Sequence, residues 1–140
     1  MTAAAKTMVK YQNAIVDDYT IMLNSNTGIS SSVFEDILIV SGISKKFLAE
    51  NIFDISVKTM TRYQQDDKKL NARLSETALK CMNLLIKGTE VFGEIDAFTR
   101  WLKKPAYGLG DKVPLDLLNT ITGIDLVVEE LIRIEFGVLA

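Results

Sequence analysis

Apolar residues recur at intervals of three and four along nearly the whole chain, and no stretch sustains the alternation of a half-buried strand. The first stripe, Met8, Tyr11, Ile15, Tyr19 and Met22, predicts one helix over residues 7–23, stopped by the polar run from Asn24 to Gly28. Ser30, Ser31 and Ser32 can cap a second helix over about 33 to 41, and Gly42 breaks it. Ser44 caps a short helix ending near Ile52, and Ser56 caps another reaching about Gln65, followed by a polar connection to Lys69. Leu74, Ala78, Cys81, Met82 and Leu85 predict a longer helix from Ala72. Within it Gly88 costs about 1 kcal/mol relative to alanine, so a bend or stop is expected there and a firmer stop at Gly93.

Ile95, Phe98, Trp101 and Leu102 mark a short helix that ends at Lys104-Pro105, with Trp101 expected in the core. Pro105 to Asp111 reads as a loop, and Pro114 opens another short helix. The last helix is expected from about Ile124 to Phe136, with Gly137 as its cap. Val127, Val128, Leu131 and Ile134 would face inward, leaving Glu129, Glu130, Arg133 and Phe136 nearer the surface. The expected fold class is all-α, in two sub-regions divided around residues 70–75.

Composition narrows the chemistry. Among 140 residues, 48% hydrophobic and 24% charged, there is no histidine, which removes Ser–His–Asp and Cys–His catalysis and imidazole metal sites. The single cysteine, Cys81, cannot form an intrachain disulfide and suits a reducing cytoplasm. No apolar run approaches the ~18 residues of a membrane span, and the opening Met1 to Lys6 lacks the features of a signal peptide. A non-enzymatic, cytoplasmic protein without cofactor or metal is expected. Its charge is unevenly placed: residues 45–87 hold 9 basic against 5 acidic side chains, and residues 88–140 hold 5 against 9. A polyanion would meet the middle of the chain and a cationic partner its end.

The strongest local pattern runs from Leu48 to Tyr63. A DNA-reading helix-turn-helix needs a small residue where its helices approach, apolar inner faces, and a capped second helix with a polar or basic outer face. Ala49 is the small residue, and Leu48, Ile52, Ile55, Met60 and Tyr63 supply the apolar contacts. Ser56 caps a second helix exposing Lys58, Thr59, Thr61 and Arg62 to the major groove, with Lys45 and Lys46 near phosphates. The turn departs from the usual pattern, because Phe53-Asp54 stand where a glycine is common and add one residue.

Other patterns are weaker. Gly88 and Gly93 have P-loop spacing, but Glu94 stands where the phosphate-binding lysine belongs, and Gly108-Leu109-Gly110 lacks a third glycine and a preceding strand. They read as helix stops and turns. No Ser-x-x-Lys occurs, and the adjacent acidic pairs Asp17-Asp18, Asp66-Asp67 and Glu129-Glu130 point to different helix faces.

The second half carries an ordered series: Thr89 to Gly93, Arg100-Trp101-Leu102, Leu109-Gly110 through Pro114 to Leu118, and Arg133 to Val138. This series resembles the C-terminal toxin-binding domain of the Xre/MbcA/ParS antitoxins, and Ser56 to Arg62 is similar to the Xre-like half of the same proteins. Asp111-Lys112 replace the glycine and arginine that usually follow the Leu-Gly pair. The resemblance implies an N-terminal extension over 1–22, an Xre-like helix-turn-helix region over 23–72 and a toxin-binding domain over 73–140.

It also implies the antitoxin of a type II toxin–antitoxin module. Such a protein covers the active site of a RES-domain toxin that consumes NAD, or of a related ADP-ribosyltransferase-like toxin, and represses its own operon as a homodimer. On that reading Arg133, Phe136, Val138 and Leu139 at the chain end contact the toxin, and Lys103, Lys104 and Tyr107 add rim contacts. Two alternatives stand beside it: a free-standing helix-turn-helix regulator without a toxin, and an adaptor whose helix-turn-helix no longer reads DNA.

Overall fold

A computed structural model describes residues 1–137; Val138, Leu139 and Ala140 lie outside the described residues. The fold is all-α. Eight α-helices follow one another among the described residues: α1 Ala3–Val9, α2 Asp18–Thr27, α3 Ser32–Ser41, α4 Lys45–Phe47, α5 Val57–Asp66, α6 Ala72–Phe92, α7 Ile95–Leu102 and α8 Ile121–Glu135. A π turn at Leu48–Ile52 extends α4, and single 3-10 turns occupy Gln12–Ala14, Tyr107–Leu109 and Pro114–Leu117. The chain forms two compact units, one from Met1 to Met82 and one from Asn83 onward.

In the first unit the single helix expected over 7–23 is two. Asp17 explains the break: its extended backbone leaves the preceding turn, and its carboxylate accepts the Thr20 N–H at 2.8 Å, starting α2. The same hydrogen bonds, first the Thr20 backbone N–H and then its hydroxyl, hold the Asp17 carboxyl below its ordinary pKa. The apolar stripe therefore divides, with Met8 and Ile15 buried while Tyr19 and Met22 stand exposed. The α2 helix also runs through the expected stop at 24–27 and ends at Gly28, whose φ of 87° suits glycine.

Polar side chains anchor the long-range joins. Tyr11 donates a short hydrogen bond to the Asp36 carboxylate of α3, and Lys10 Nζ approaches the same group at 3.3 Å. Burial and the adjacent Asp36 both push the Tyr11 phenol far above its ordinary pKa. The Ser31 hydroxyl donates to Tyr63 O at 2.8 Å, while the Ser75 hydroxyl accepts the Ile29 N–H at 3.1 Å and donates to Leu70 O at 3.2 Å. Ser75 thereby ties the first turns of α6 to Ile29 and Leu70, and the two compact units divide further on, between Met82 and Asn83, inside α6. Phe34, fully buried, meets the edge of Phe53 at 4.9 Å and lies 6.3 Å from Tyr63. Cys81 is buried, which pushes its thiol up to about 12 and keeps it protonated.

The second unit gathers Leu84, Phe98, Leu102, Ile124, Val127 and Leu131 in its core. Trp101 stacks on Phe98 at 6.0 Å and lies 5.6 Å from Phe92. Helix α8 begins at Ile121, three residues before the expected Ile124, because the Thr120 hydroxyl caps it by accepting the Gly123 N–H at 2.9 Å. Lys87 of α6 reaches Glu135 of α8 at 2.8 Å.

Gly88 neither bends nor stops α6, contrary to expectation: the helix continues to Phe92. A Cβ at this position would press to 2.4 Å from atoms of the Phe98 ring, so the glycine admits α7 close to α6. Replacing Gly88 by alanine gains about 1 kcal/mol of helix propensity but overpacks a closed core at about 1–3 kcal/mol. We expect Gly88→Ala to lower the thermal midpoint, and Phe98→Leu in the same chain to recover part of it. A midpoint unchanged or raised in the single variant would contradict this packing.

Candidate functional site

The first candidate surface is built on α5. Ser44 opens α4 by accepting the Phe47 N–H at 3.1 Å. The additional residue in the following turn is absorbed by π geometry: Phe53 N–H bonds Leu48 O at 3.0 Å, five residues back. Asp54 then takes the left-handed conformation (φ 55°) that glycine commonly supplies, and Ile55 N–H returns to Ala49 O at 2.9 Å. Ala49 is completely buried, as a close helix approach requires.

Ser56 starts α5 by accepting the Thr59 N–H at 3.0 Å and donates its hydroxyl to Thr59 Oγ1 at 2.9 Å. Lys58 and Arg62 are exposed one turn apart; Thr59 and Thr61 are half-buried beside them. Lys46 is exposed and Lys45 half-buried on α4. Thr59, Arg62, Tyr63, Asp66 and Lys68 line a hollow of about 240 Å³. Lys68 reads from sequence only as part of a polar connection; the backbone, with Asp67 at φ 48°, brings it beside Arg62.

The second candidate surface lies on the unit from Asn83. Lys103 and Lys104 are exposed where α7 ends, their N–H groups closing on Arg100 O and Trp101 O. The following loop is pinned by Ala106 N–H to Lys112 O at 3.0 Å and turned by Asp111 at φ 61°. Tyr107 at its tip is 70% exposed. Next to it, Gly108 lies against the Glu130 carboxylate so closely that a Cβ has no room.

Glu130 is not near the surface, as the sequence suggested, but 2% exposed. A carboxylate can be covered there because Arg133 reaches back one turn and donates Nε–H to Glu130 Oε1 at 2.8 Å. Gly108, next to Tyr107, and Arg133 thus both adjoin this one buried carboxylate, and Phe136, 72% exposed, follows Arg133 by one further turn. Val138 and Leu139 lie outside the described residues. Two residues escaped the sequence reading: Leu126 and Ile132, 44% and 40% exposed on α8. Leu126, Glu129, Arg133 and Phe136 recur at helical spacing, and that second stripe was the available signal.

Among the described residues no group of three or more acidic, histidine or cysteine side chains could hold a metal ion, and no helix is long and apolar enough to cross a membrane. The second unit is thus a small helical unit that covers the Glu130 carboxylate with Arg133 and Gly108 and exposes Lys103, Lys104, Tyr107 and Phe136. Residues 87–137 match the family model of the antitoxin Xre/MbcA/ParS C-terminal toxin-binding domain. The match begins after the end of the first unit. No curated protein matches the chain.

The Glu130–Arg133 pair sets one expectation. Removing either partner should destabilise by about 1–3 kcal/mol, because the other loses its charged hydrogen bond. In thermal or denaturant unfolding, the double alanine variant should lose less than the two single variants together. Strict additivity would mean that the two side chains do not act as a pair.

Proposed function

We propose that the protein is the antitoxin of a type II toxin–antitoxin module. It binds and neutralises a cognate RES-domain toxin that consumes NAD, covering the toxin's active site, and it represses its own operon by binding operator DNA as a homodimer in the cytoplasm. The observation that carries this reading is the family match over 87–137, which falls entirely within the unit from Asn83. On this reading the protein has no catalytic step of its own and needs no cofactor.

Toxin recognition uses Tyr107, Arg133 and Phe136 with the following Val138 and Leu139, and Lys103 and Lys104 at the rim. The Phe136 ring is exposed, and a large apolar side chain covered at an interface contributes about 1.5–3 kcal/mol. Leu126 and Ile132 extend the same apolar stripe along α8. Exposed Phe136 supports the interface reading over one in which the ring serves the domain's own core.

Operator recognition uses α5. The domain division 1–22, 23–72 and 73–140 is then functional: an extension, a DNA-reading region and a toxin-binding region. Support comes from the capped helix, its Lys58 and Arg62 side chains, and the π turn that accommodates Phe53-Asp54 without a glycine. Ser56, Thr59 and Thr61 flank the basic pair, and Lys45 and Lys46 precede it toward the phosphates. A homodimer follows from the reach of one short helix, since two half-sites about 34 Å apart double the contact.

Two measurements test the reading. An arginine bidentate to guanine is worth about 1–3 kcal/mol of discrimination, so Arg62→Ala should flatten the preference for the operator in a mobility-shift assay. Lys46→Ala should instead weaken all DNA alike and lower the salt slope. Operator affinity within twofold of wild type in Arg62→Ala would remove α5 from the groove. For the toxin, deleting residues 138–140 and replacing Phe136 by serine should release it in a growth or NAD-depletion assay, with helicity and operator binding retained. Full neutralisation by that folded variant would place the contact elsewhere.

A further inference from the structure

The hollow on α5 contains one basic residue to which the operator reading gives no role. Lys68 follows the end of α5 by two residues, and its backbone is held on both sides. Asp67, at φ 48°, turns the chain, the Lys68 N–H bonds Tyr63 O at 3.4 Å, and Lys68 O accepts the Ser31 N–H at 3.1 Å. The residue stays exposed and lines the hollow of about 240 Å³ together with Thr59, Arg62, Tyr63 and Asp66. Lys69, the next residue, is placed differently. Its stem lies over Gly28, where a Cβ would come 3.8 Å from Lys69 Cδ. Of these two adjacent lysines, Lys68 shares a wall with Arg62 and Lys69 does not.

The hollow is short of negative charge. Arg62 and Lys68 bring two cations to one carboxylate, Asp66, and among the described residues neither cation has an ion-pair partner. Thr59 Oγ1 accepts the Ser56 hydroxyl at 2.9 Å, so its own proton is left for an acceptor. The Lys68 N–H is spent on Tyr63 O, which leaves the grip to side chains. An occupant must therefore be anionic and rich in acceptors. A recognition helix presents its N-terminal residues to base edges. Its last turn and the residues after it then pass to the strand bordering the groove, where phosphates lie.

We infer, on the operator reading proposed above, that the hollow seats a backbone phosphate of the operator and that Lys68 is the residue that grips it. Charge and position together select a duplex over a free anion. With Asp66 in the wall, the net charge is too small to hold a small anion that diffuses alone. A phosphate carried by a duplex already docked on α5 arrives at high effective concentration, and one ammonium then suffices. Asp66 keeps the grip modest, which leaves discrimination to Arg62. The contact carries no base information; it fixes the register in which Arg62 meets its base.

The experiment is a salt series by fluorescence anisotropy on the full chain, with two duplexes of equal length. One carries the sequence upstream of this chain's own reading frame, and the other is its scrambled version. Lys68→Ala should weaken both by the same factor, roughly three- to tenfold, and lower the slope of log Kd against log salt by about 0.9 for each copy bound. Lys69→Ala should change that slope less than half as much, and Asp66→Asn should strengthen both duplexes alike. A slope unchanged in a Lys68→Ala chain of normal circular dichroism, or an equal loss in Lys69→Ala, would overturn the assignment. So would inorganic phosphate that competes better than sulfate at matched ionic strength and loses that advantage in Lys68→Ala, which would give the hollow to a free anion. A wild type that binds neither duplex removes the operator reading and this contact with it, whereas wild-type binding with an unaltered Lys68→Ala slope removes the contact alone.

Discussion

The unit from Asn83 is governed by a lack of room. At Gly88, Gly108 and Gly123 a Cβ has no place, because the Phe98 ring, the Glu130 carboxylate and the Leu117 carbonyl already fill it. These three contacts bring α7 onto α6, the 107–109 turn onto α8, and the 114–117 turn onto the start of α8. Apolar burial supplies most of the driving force in such a small domain, but it is non-directional. The close approaches select the arrangement in which Phe98, Leu102, Ile124 and Leu131 become fully enclosed. The half-buried Arg133 and the exposed Tyr107 and Phe136 are carried on the elements so arranged.

Glu130 shows how the constraint reaches the surface. Covering a carboxylate costs several kcal/mol unless its charge is answered, and here Arg133 answers it from one turn along the same helix. The guanidinium is thereby committed in direction before any partner arrives, which lowers the ordering cost of an encounter. In the first unit the corresponding role falls to hydroxyls and a carboxylate. Asp36 gathers Lys10 and Tyr11, and Ser31 and Ser75 satisfy backbone groups of segments far away in sequence. Residues 1–22 are therefore part of the unit's internal packing, since Met8 and Ile15 are buried and Tyr11 holds α3.

What was legible in the chain follows the range of the interaction. Gly42, Ser44, Ser56 and Gly93 act on their immediate neighbours, and the ends of α3, α5 and α6 could be read from them. Asp17 also acts locally, but the run of apolar residues from Met8 to Met22 concealed it; the pair Asp17 and Thr20 was the available cue. Gly88 and Glu130 were misread because their partners, Phe98 and Gly108, lie 10 and 22 residues away in the sequence. Helical phase does separate Glu130 from Glu129, since Glu130 lies on the stripe of Val127, Leu131 and Ile134, but a carboxylate there is not expected inside without its partner Arg133. On the candidate surfaces, the exposed Lys58, Arg62 and Phe136 lie at positions that helical phase alone suggests, and Tyr107 lies in the loop that Pro105 and the glycines mark. Lys68, Leu126 and Ile132 needed the folded backbone.

If the unit from Asn83 holds another protein, purification of the tagged chain from its native host under mild conditions will show it most directly. A second protein should co-elute through size exclusion, separate only on denaturation, and deplete NAD once freed. A chain that elutes without any companion, from cells shown to express the neighbouring reading frame, would contradict that binding.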